Sequence, residues 1–304
     1  MKTRILKMLL LCLLVSWCLL SAIAQPMVSC GNIVRHKFES KYVDTRNIDV
    51  WLPPNYNIAQ RYPVVYMHDG QMLYDSTTTW NKQEWKVDEL LCAMFNEGAP
   101  TCIVVGIWNN DKYRHAEYFP QKPLNALRPS LRDSIVSLNL RDKPLADNYL
   151  QFLTAELKPF IDKTYATQAD KAHTFIAGSS MGGLISLYAI CEYPEVFGAA
   201  ACISTHWIGS TFFKESPLPI MDAFNTYLKK NLPSPKDHRL YFDYGTATLD
   251  SLYKPHQLRI DRTVKSKGYR SHNCMTRAFE GADHSERSWS ARLVIPMRFL
   301  LQGR

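Results

Sequence analysis

Residues 174–184 have the sequence TFIAGSSMGGL, and this stretch decides the fold. An apolar run ends at Gly178, and Gly182 and Gly183 open a segment with helical spacing. Gly-x-Ser-x-Gly around Ser180 is typical of a nucleophile elbow, a strained strand-to-helix turn whose flanks must lack bulk. The amino terminus of the helix would favour negative charge that develops nearby. A glycine-rich turn without catalysis is the alternative, but the flanking strand and helix patterns favour Ser180 as a nucleophile.

Apolar runs alternate with helical patterns on both sides of this stretch. The runs typical of strands buried on both faces occur at residues 62–67, 102–107, 199–204, 240–245 and 273–279. Residues 33–38 and 46–52 alternate loosely and contain no proline, which predicts an antiparallel strand pair. The sequence therefore predicts an α/β fold, with a mostly parallel central sheet, an antiparallel N-terminal strand pair and helices on both faces.

Two segments between the strands carry weaker patterns. Residues 121–146 are polar, poorly periodic and interrupted by three prolines, so we expect an excursion over the active face, a partial lid. Asp147 or Asn148 is predicted to cap a helix that continues through Ile161.

The first 24 residues have the features of a secretory signal peptide. Basic residues precede an apolar run at 8–20, and Ala22 and Ala24 form an A-x-A cleavage site. The run is shorter than the ~20 residues of a membrane anchor, and Trp17 before Cys18 disfavours lipoprotein processing. We expect an exported chain, periplasmic or extracellular and without a membrane anchor after cleavage. Residues 25–304 would form a single catalytic domain.

Charge and cysteine content limit the partners. The formal net charge is +8, and removal of three basic residues with the signal leaves about +5 (8 − 3). The basic residues are scattered, which is typical of a solvated surface and not of a nucleic-acid-binding face. Six cysteines remain, and export permits disulfides that the sequence cannot assign, although Cys92, Cys102, Cys191 and Cys202 lie in apolar patterns. No metal-ligand spacing occurs, so neither metal nor cofactor is expected.

A serine nucleophile needs a base, and the base needs an acid that orients it. In this architecture the chain order is Ser, then Asp or Glu, then His. His284 follows the last predicted strand and fits the base. Asp250 lies in the loop after the preceding strand and is the favoured acid. Asp243 lies within that strand and remains the alternative.

Two backbone N–H groups would form the oxyanion hole. One belongs to Met181, the residue after the nucleophile. The other would come from Gln71 in the loop after an early strand, where Gly70 permits close approach of the backbone. His68 and Asp69 are expected to shape this loop and not to form a second catalytic pair.

Five sequence blocks carry a resemblance to a known family. They are PVVYMHDGQ at 63–71, RHAEYFP at 114–120, GSSMGG at 178–183, YPEVFG at 193–198 and GADHSERSW at 281–289. Together they resemble the putative esterase family of α/β-hydrolases, over nearly the whole chain from about residue 46 to 301. That family includes acetylxylan and feruloyl esterases, enterochelin-type siderophore esterases, S-formylglutathione hydrolases and mycolyltransferases.

The resemblance implies roles for further residues. Ser180 would be the nucleophile, His284 the base, and Gln71 and Met181 the oxyanion donors. The residues that would brace the active-site loop, line the substrate pocket or support the histidine are Arg114, Glu117, Trp207, Glu286 and Trp289. The family varies at the acid position, so the choice between Asp250 and Asp243 stays open.

The expected function is an exported serine esterase that acts through an acyl-enzyme on acetyl or feruloyl esters of polysaccharide. A siderophore lactone is the alternative substrate, and acyl transfer is an alternative reaction on the same machinery. S-formylglutathione is disfavoured because it is a cytoplasmic metabolite. The non-enzymatic alternative is an inactive carbohydrate-binding homologue.

Overall fold

A computed structural model describes residues 25–209 and 218–302. The predicted signal peptide lies outside the described residues. Eight strands form one sheet in the order β1-β2-β4-β3-β5-β6-β7-β8. They are β1 Asn32–Phe38, β2 Arg46–Leu52, β3 Val64–His68, β4 Ile103–Ile107, β5 Thr174–Ser179, β6 Ala199–Ile203, β7 Arg239–Gly245 and β8 Cys274–Phe279.

Strand direction agrees with the sequence patterns. β1 pairs antiparallel with β2, and β2 pairs antiparallel with β4. The other neighbouring strands pair in parallel. The predicted fold class, a mostly parallel sheet with an antiparallel N-terminal pair, is therefore confirmed.

Helices connect the strands and cover the sheet on both faces. They are α1 Val87–Asn96, α2 Arg114–Tyr118, α3 Gln121–Asn125, α4 Pro129–Asn139, α5 Ala146–Gln151, α6 Lys158–Thr164, α7 Met181–Glu192, α8 Leu218–Asn231, α9 Lys254–Ser266, α10 Glu286–Ser290 and α11 Val294–Gln302. A π-helical turn, Phe152–Leu157, joins α5 to α6. In the described part of the chain, no helix is both long and apolar enough to span a bilayer.

Side chains of the central strands alternate between two hydrophobic clusters. In β3, Val64 and Tyr66 belong to one cluster, whereas Val65 and Met67 belong to the other. Both faces are buried because successive side chains point to opposite sides of the sheet. Complete burial of such a side chain contributes about 1.5–3 kcal/mol to the free energy of unfolding. The sheet is therefore a stable base for the loops at its carboxyl edge.

Residues 121–146 differ from the expectation of a partial lid. They contain α3 and α4, and Leu124, Leu131 and Ile135 are buried in the larger hydrophobic cluster. The capping prediction was also wrong. The helix begins at Ala146 after Leu145, without a side-chain cap, and Asp147 accepts a hydrogen bond from Tyr188 instead.

A disulfide joins Cys30 to Cys92, with a Cα–Cα distance of 6.5 Å. It connects the segment before β1 to α1. The apolar pattern around Cys92 gave no indication of this bond. The free thiols among the described residues are those of Cys102, Cys191, Cys202 and Cys274.

Candidate active site

Ser180 lies between β5 and α7 in a strained backbone conformation, with φ 57° and ψ −119°. Such a conformation is rare for a residue with a side chain and persists only where the surroundings enforce it. Its N–H donates to the carbonyl of Ile203 at 2.9 Å, and its own carbonyl accepts from the N–H of His206 at 3.2 Å. A Cβ on Gly178 would lie 2.9 Å from the carbonyl carbon of Gly182, so glycine is required there.

His284 and Asp250 form a hydrogen-bonded pair. The Nδ1 atom of His284 lies 2.5 Å from Oδ1 of Asp250, which is completely buried. The ring packs edge-on against Trp289, with a centroid distance of 5.0 Å. Because a carboxylate accepts the Nδ1 proton, Nε2 is the ring atom left to take a proton from a nucleophile.

Three donors hold Asp250. Besides His284, the Ser204 hydroxyl donates to Oδ2 at 2.5 Å and the N–H of Gly245 donates at 2.6 Å. Burial alone would raise the pKa of Asp250, but the hydrogen bonds from His284, Ser204 and Gly245 and the charge of His284 together hold the pKa below its ordinary value. The carboxylate is therefore ionised at neutral pH and can stabilise an imidazolium.

Asp243 belongs to a separate ion pair behind the site. Arg292 donates to it at 3.1 Å and 3.3 Å, and Tyr241 donates at 2.9 Å. Arg292 also donates to the Ser204 hydroxyl at 2.6 Å and lies 3.8 Å from Asp250. Burial raises the pKa of Asp243 despite the pairing with Arg292. Ser204 thus links the two carboxylates.

The loops that carry Asp250 and His284 bond to each other directly. The N–H of His284 donates to the Thr248 hydroxyl at 2.9 Å, and the N–H of Ala247 donates to the carbonyl of Ala282 at 3.0 Å. A Cβ on Gly245 would lie 2.1 Å from that same carbonyl oxygen. The two loops therefore form one packed unit.

The loop after β3 places Gln71 in the wall of the same cleft as Ser180. A Cβ on Gly70 would lie 2.5 Å from the carbonyl carbon of Gly106, so only glycine fits at this position. Met181 is the first residue of α7, where a backbone N–H has no intrahelical acceptor. Gln71 thus lines the cleft that contains Ser180, and Met181 follows Ser180 directly at the start of α7.

Asp69, immediately before Gly70, anchors this loop. Arg114 donates to both of its carboxylate oxygens at 2.7 Å, and Asn109 donates at 2.7 Å. Burial would raise the pKa of Asp69, but Arg114, Asn109 and His68 together outweigh burial and hold the pKa below its ordinary value. The N–H of Asn109 also donates to the Gln71 side chain at 3.1 Å, which fixes both sides of Gly70.

The cleft in front of Ser180 has a volume of about 560 Å³. Its lining combines aromatic, amide and charged side chains. The lining residues are Asp69, Gln71, Met72, Trp80, Asn81, Gln83, Trp85, Asn109, Asp111, Arg114, His115, Ser179, Ser180, His284, Ser285, Glu286 and Trp289. Burial, together with the neighbouring Arg114, lowers the pKa of His115, so this side chain is neutral near pH 7.

Glu117 and Trp207 lie away from this cleft. Glu117 is buried and pairs with Arg46 at 2.8 Å and 2.6 Å, which joins α2 to the start of β2. Trp207 is also buried, and its indole N–H donates to Gln257 at 2.8 Å. Both residues support the structure around the site, whereas Arg114 lines the cleft. Gly70 contributes its backbone position.

The sequence patterns could not indicate several of the residues at the site. Ser204 and Arg292 are 88 positions apart and meet only because β6 and the C-terminal helices fold together. Asn109 lies in the polar loop after β4, a general site of binding residues, but nothing marked it as the partner of Asp69. The Gly-x-Ser-x-Gly motif indicated Ser180, and chain order indicated His284 and favoured Asp250 over Asp243.

Comparison with known proteins gives a family match and several similar proteins. The family described as "Putative esterase" matches residues 41–300. The uncharacterized protein YbbA of Bacillus subtilis (strain 168) is 23% identical over 277 residues, covering 89% of this chain and 96% of YbbA. The ferri-bacillibactin esterase BesA of the same organism is 27% identical over 177 residues, or 56% of this chain and 55% of BesA.

The fold also matches solved structures. A ferulic acid esterase superimposes with a TM-score of 0.65 at 19% identity, covering 90% of this chain and all of that one. At this identity the match shows the shared fold.

Proposed function

The chain belongs to the putative esterase family, and on that premise we propose that it is a serine carboxylic-ester hydrolase that works through an acyl-enzyme. The observation that carries the proposal is the 2.5 Å contact of His284 with the buried Asp250, because His284 lines the same cleft as the strained Ser180. Serine hydrolysis needs a nucleophile, a base and an orienting acid together.

The mechanism follows from the roles of these side chains. His284 removes the proton from Ser180, whose oxygen attacks the ester carbonyl. The N–H groups of Gln71 and Met181 stabilise the negative oxygen of the tetrahedral intermediate. The protonated imidazole then gives its proton to the departing alcohol, and Asp250 stabilises the imidazolium. Water activated by His284 releases the acid and restores the free serine.

The substrate we propose is an acetyl or feruloyl ester of polysaccharide. Within the described chain, the only Lys or Arg in the cleft wall is Arg114, and Asp69 already neutralises it. Asp111 and Glu286 add carboxylates to the same wall. A neutral ester suits this cleft better than an anionic iron-bound catecholate. The ferulic acid esterase of the same fold supports the feruloyl option.

The siderophore lactone remains the second candidate because BesA, described as a ferri-bacillibactin esterase, is similar to 56% of this chain. Parallel assays on methyl ferulate, acetylated xylan and a catecholate trilactone separate the candidates. A dominant kcat/KM on the trilactone would contradict the polysaccharide assignment.

We also propose that the N-terminal signal directs export of the protein. Residues 25–304 would then form one catalytic domain. The basic and apolar segments before Ala24 support it. Cell fractionation and N-terminal sequencing of the exported protein would identify the cleavage site.

Replacement of the nucleophile tests the mechanism. We expect Ser180→Ala to lower kcat on aryl acetates by about 10³-fold or more, because no acyl-enzyme can form. Ser134→Ala is the matched control, since Ser134 is an exposed serine of α4 that does not line the cleft, and it should leave kcat unchanged. Comparable activity in Ser180→Ala and the parent protein would contradict the serine mechanism.

A further inference from the structure

Trp80 stands on the edge of the catalytic cleft with 83% of its surface exposed. It is the most exposed large hydrophobic residue in the described part of the chain. Single exposed apolar residues are common on protein surfaces. Trp80 differs from the others because it lines the cleft that contains Ser180. An indole ring left open to solvent there offers a large flat apolar face to a substrate.

The loop that carries Trp80, residues 76–86, is held in place and is here called the rim loop. Asn81 donates to Glu286 at 2.7 Å, and the N–H of Arg287 donates to Gln83 at 3.1 Å. These two bonds tie the rim loop to the segment that follows His284. A surface fixed before binding loses less entropy when a ligand arrives, so Trp80 is presented in a defined position.

Open and buried parts of the cleft suit different parts of an ester. Trp85 and Trp289 are buried in the wall near His284, whereas Trp80 faces solvent. An acyl group ends within the cleft, but a polysaccharide chain is far longer than the cleft and must leave through its open side. The rim is therefore the part of the cleft that contacts the alcohol portion of a polymeric ester.

The groups around Trp80 match the chemistry of a sugar ring. A pyranose ring has apolar C–H faces and a perimeter of hydroxyl groups, which need a flat apolar partner and neutral hydrogen-bonding groups. Trp80 supplies the flat apolar partner. The neighbouring amides of Asn81 and Gln83 line the same cleft and supply neutral hydrogen-bonding groups. We propose that Trp80 and the rim loop form a sugar-binding subsite that stacks on a pyranose ring of the polysaccharide. This inference rests on the polysaccharide ester hydrolysis proposed above.

Direct binding tests the subsite without turnover. The Ser180→Ala protein would be titrated by calorimetry with unesterified hexasaccharides of xylan, mannan and galactan. We expect at least one hexasaccharide to bind, and addition of Trp80→Ala to weaken that binding about tenfold or more, equivalent to about 1.4 kcal/mol. Trp80→Phe should retain most of the affinity. Absence of binding to all three sugars, or equal affinity with Trp80→Ala, would overturn the proposal.

Kinetics distinguish the alcohol side from the acyl side. Trp80→Ala should raise KM about tenfold for a feruloylated oligosaccharide and leave kcat and the KM for methyl ferulate unchanged. Ile58→Ala is the control, because Ile58 is 80% exposed and lies outside the cleft. This variant should change KM for neither substrate. An equal rise in KM for methyl ferulate would place the acyl group on Trp80 and overturn the subsite.

The two proposals fail in different ways. Hydrolysis that survives Ser180→Ala would contradict the serine mechanism while the Trp80-dependent binding persisted. Trp80-independent binding with Ser180-dependent hydrolysis would contradict the sugar subsite alone.

Discussion

Asp250 and Asp243 lie close in sequence and are both buried, yet their partners differ. Asp250 accepts a hydrogen bond from His284, whereas Asp243 pairs with Arg292. The pKa of Asp250 lies below its ordinary value and that of Asp243 above it. These contacts support Asp250 as the triad acid and give Asp243 the role of holding Arg292 behind the site.

The two aspartates should respond differently to amide substitution. Asp250→Asn is expected to lower kcat by about 10³–10⁴-fold, because an amide does not stabilise the imidazolium and favours the wrong tautomer. Asp243→Asn should keep kcat within about tenfold but lower the free energy of unfolding by about 3 kcal/mol, since the buried Arg292 would lose its hydrogen-bonded carboxylate and keep only Asp250, at 3.8 Å. Steady-state kinetics and urea unfolding on both variants test this. The reverse pattern would make Asp243 the catalytic acid.

At the residue scale, the sequence could predict the groups whose positions follow from topology. Ser180 and His284 each follow a strand at the same sheet edge, and both line the same cleft, as chain order predicted. The link from Arg292 through Ser204 to Asp250 could not be predicted, because it depends on side-chain packing between distant segments. Nor could the sequence show that Trp207 is buried against Gln257 and does not line the cleft.

At the element scale, strands were easier to predict than helices. β3 to β6 are continuous apolar runs because both of their faces are buried. Helix α4 escaped prediction because only Leu131 and Ile135 are buried along its 11 residues. The remainder of that helix is polar, and the flanking prolines suggested an irregular segment.

The Cys30–Cys92 disulfide also acts at this scale. Its two cysteines are 62 positions apart in the sequence. Loss of the disulfide should lower the free energy of unfolding by about 2–4 kcal/mol, chiefly because the unfolded chain gains conformational entropy. Cys30→Ser and Cys92→Ser should lower the urea midpoint equally. Cys274→Ser, which removes a free thiol, is the control and should change it much less. Equal midpoints for all three variants would contradict a formed disulfide.

At the scale of the whole molecule, buried histidines set the response to acid. Burial lowers the pKa of both His68 and His206 to about 3. Between pH 6.5 and that value, the unfolded chain binds protons that the folded chain does not. Stability is therefore present above about pH 6.5 and is lost as the pH falls. Glu89 opposes this trend, because burial and its neighbour Asp88 raise its pKa to about 7.

We expect the free energy of unfolding to fall by about 2–3 kcal/mol between pH 6.5 and pH 5.0. The two histidines together account for about 3 kcal/mol, and the partly exposed Glu89 offsets a fraction of this fall that solvent screening reduces. Urea unfolding at the two pH values measures the fall. Glu89→Gln should enlarge it, because the opposing group is removed. A protein equally stable at both pH values would contradict these pKa shifts.

The packed loops that carry Asp250 and His284 have a consequence for recombination between relatives. Backbone and side-chain bonds join them at Ala247–Ala282 and Thr248–His284, and Gly245 has no room for a side chain against Ala282. A chimera that takes one loop from one parent and the other loop from a second parent breaks this match. Residues 245–284, which include both loops, should therefore be exchanged together.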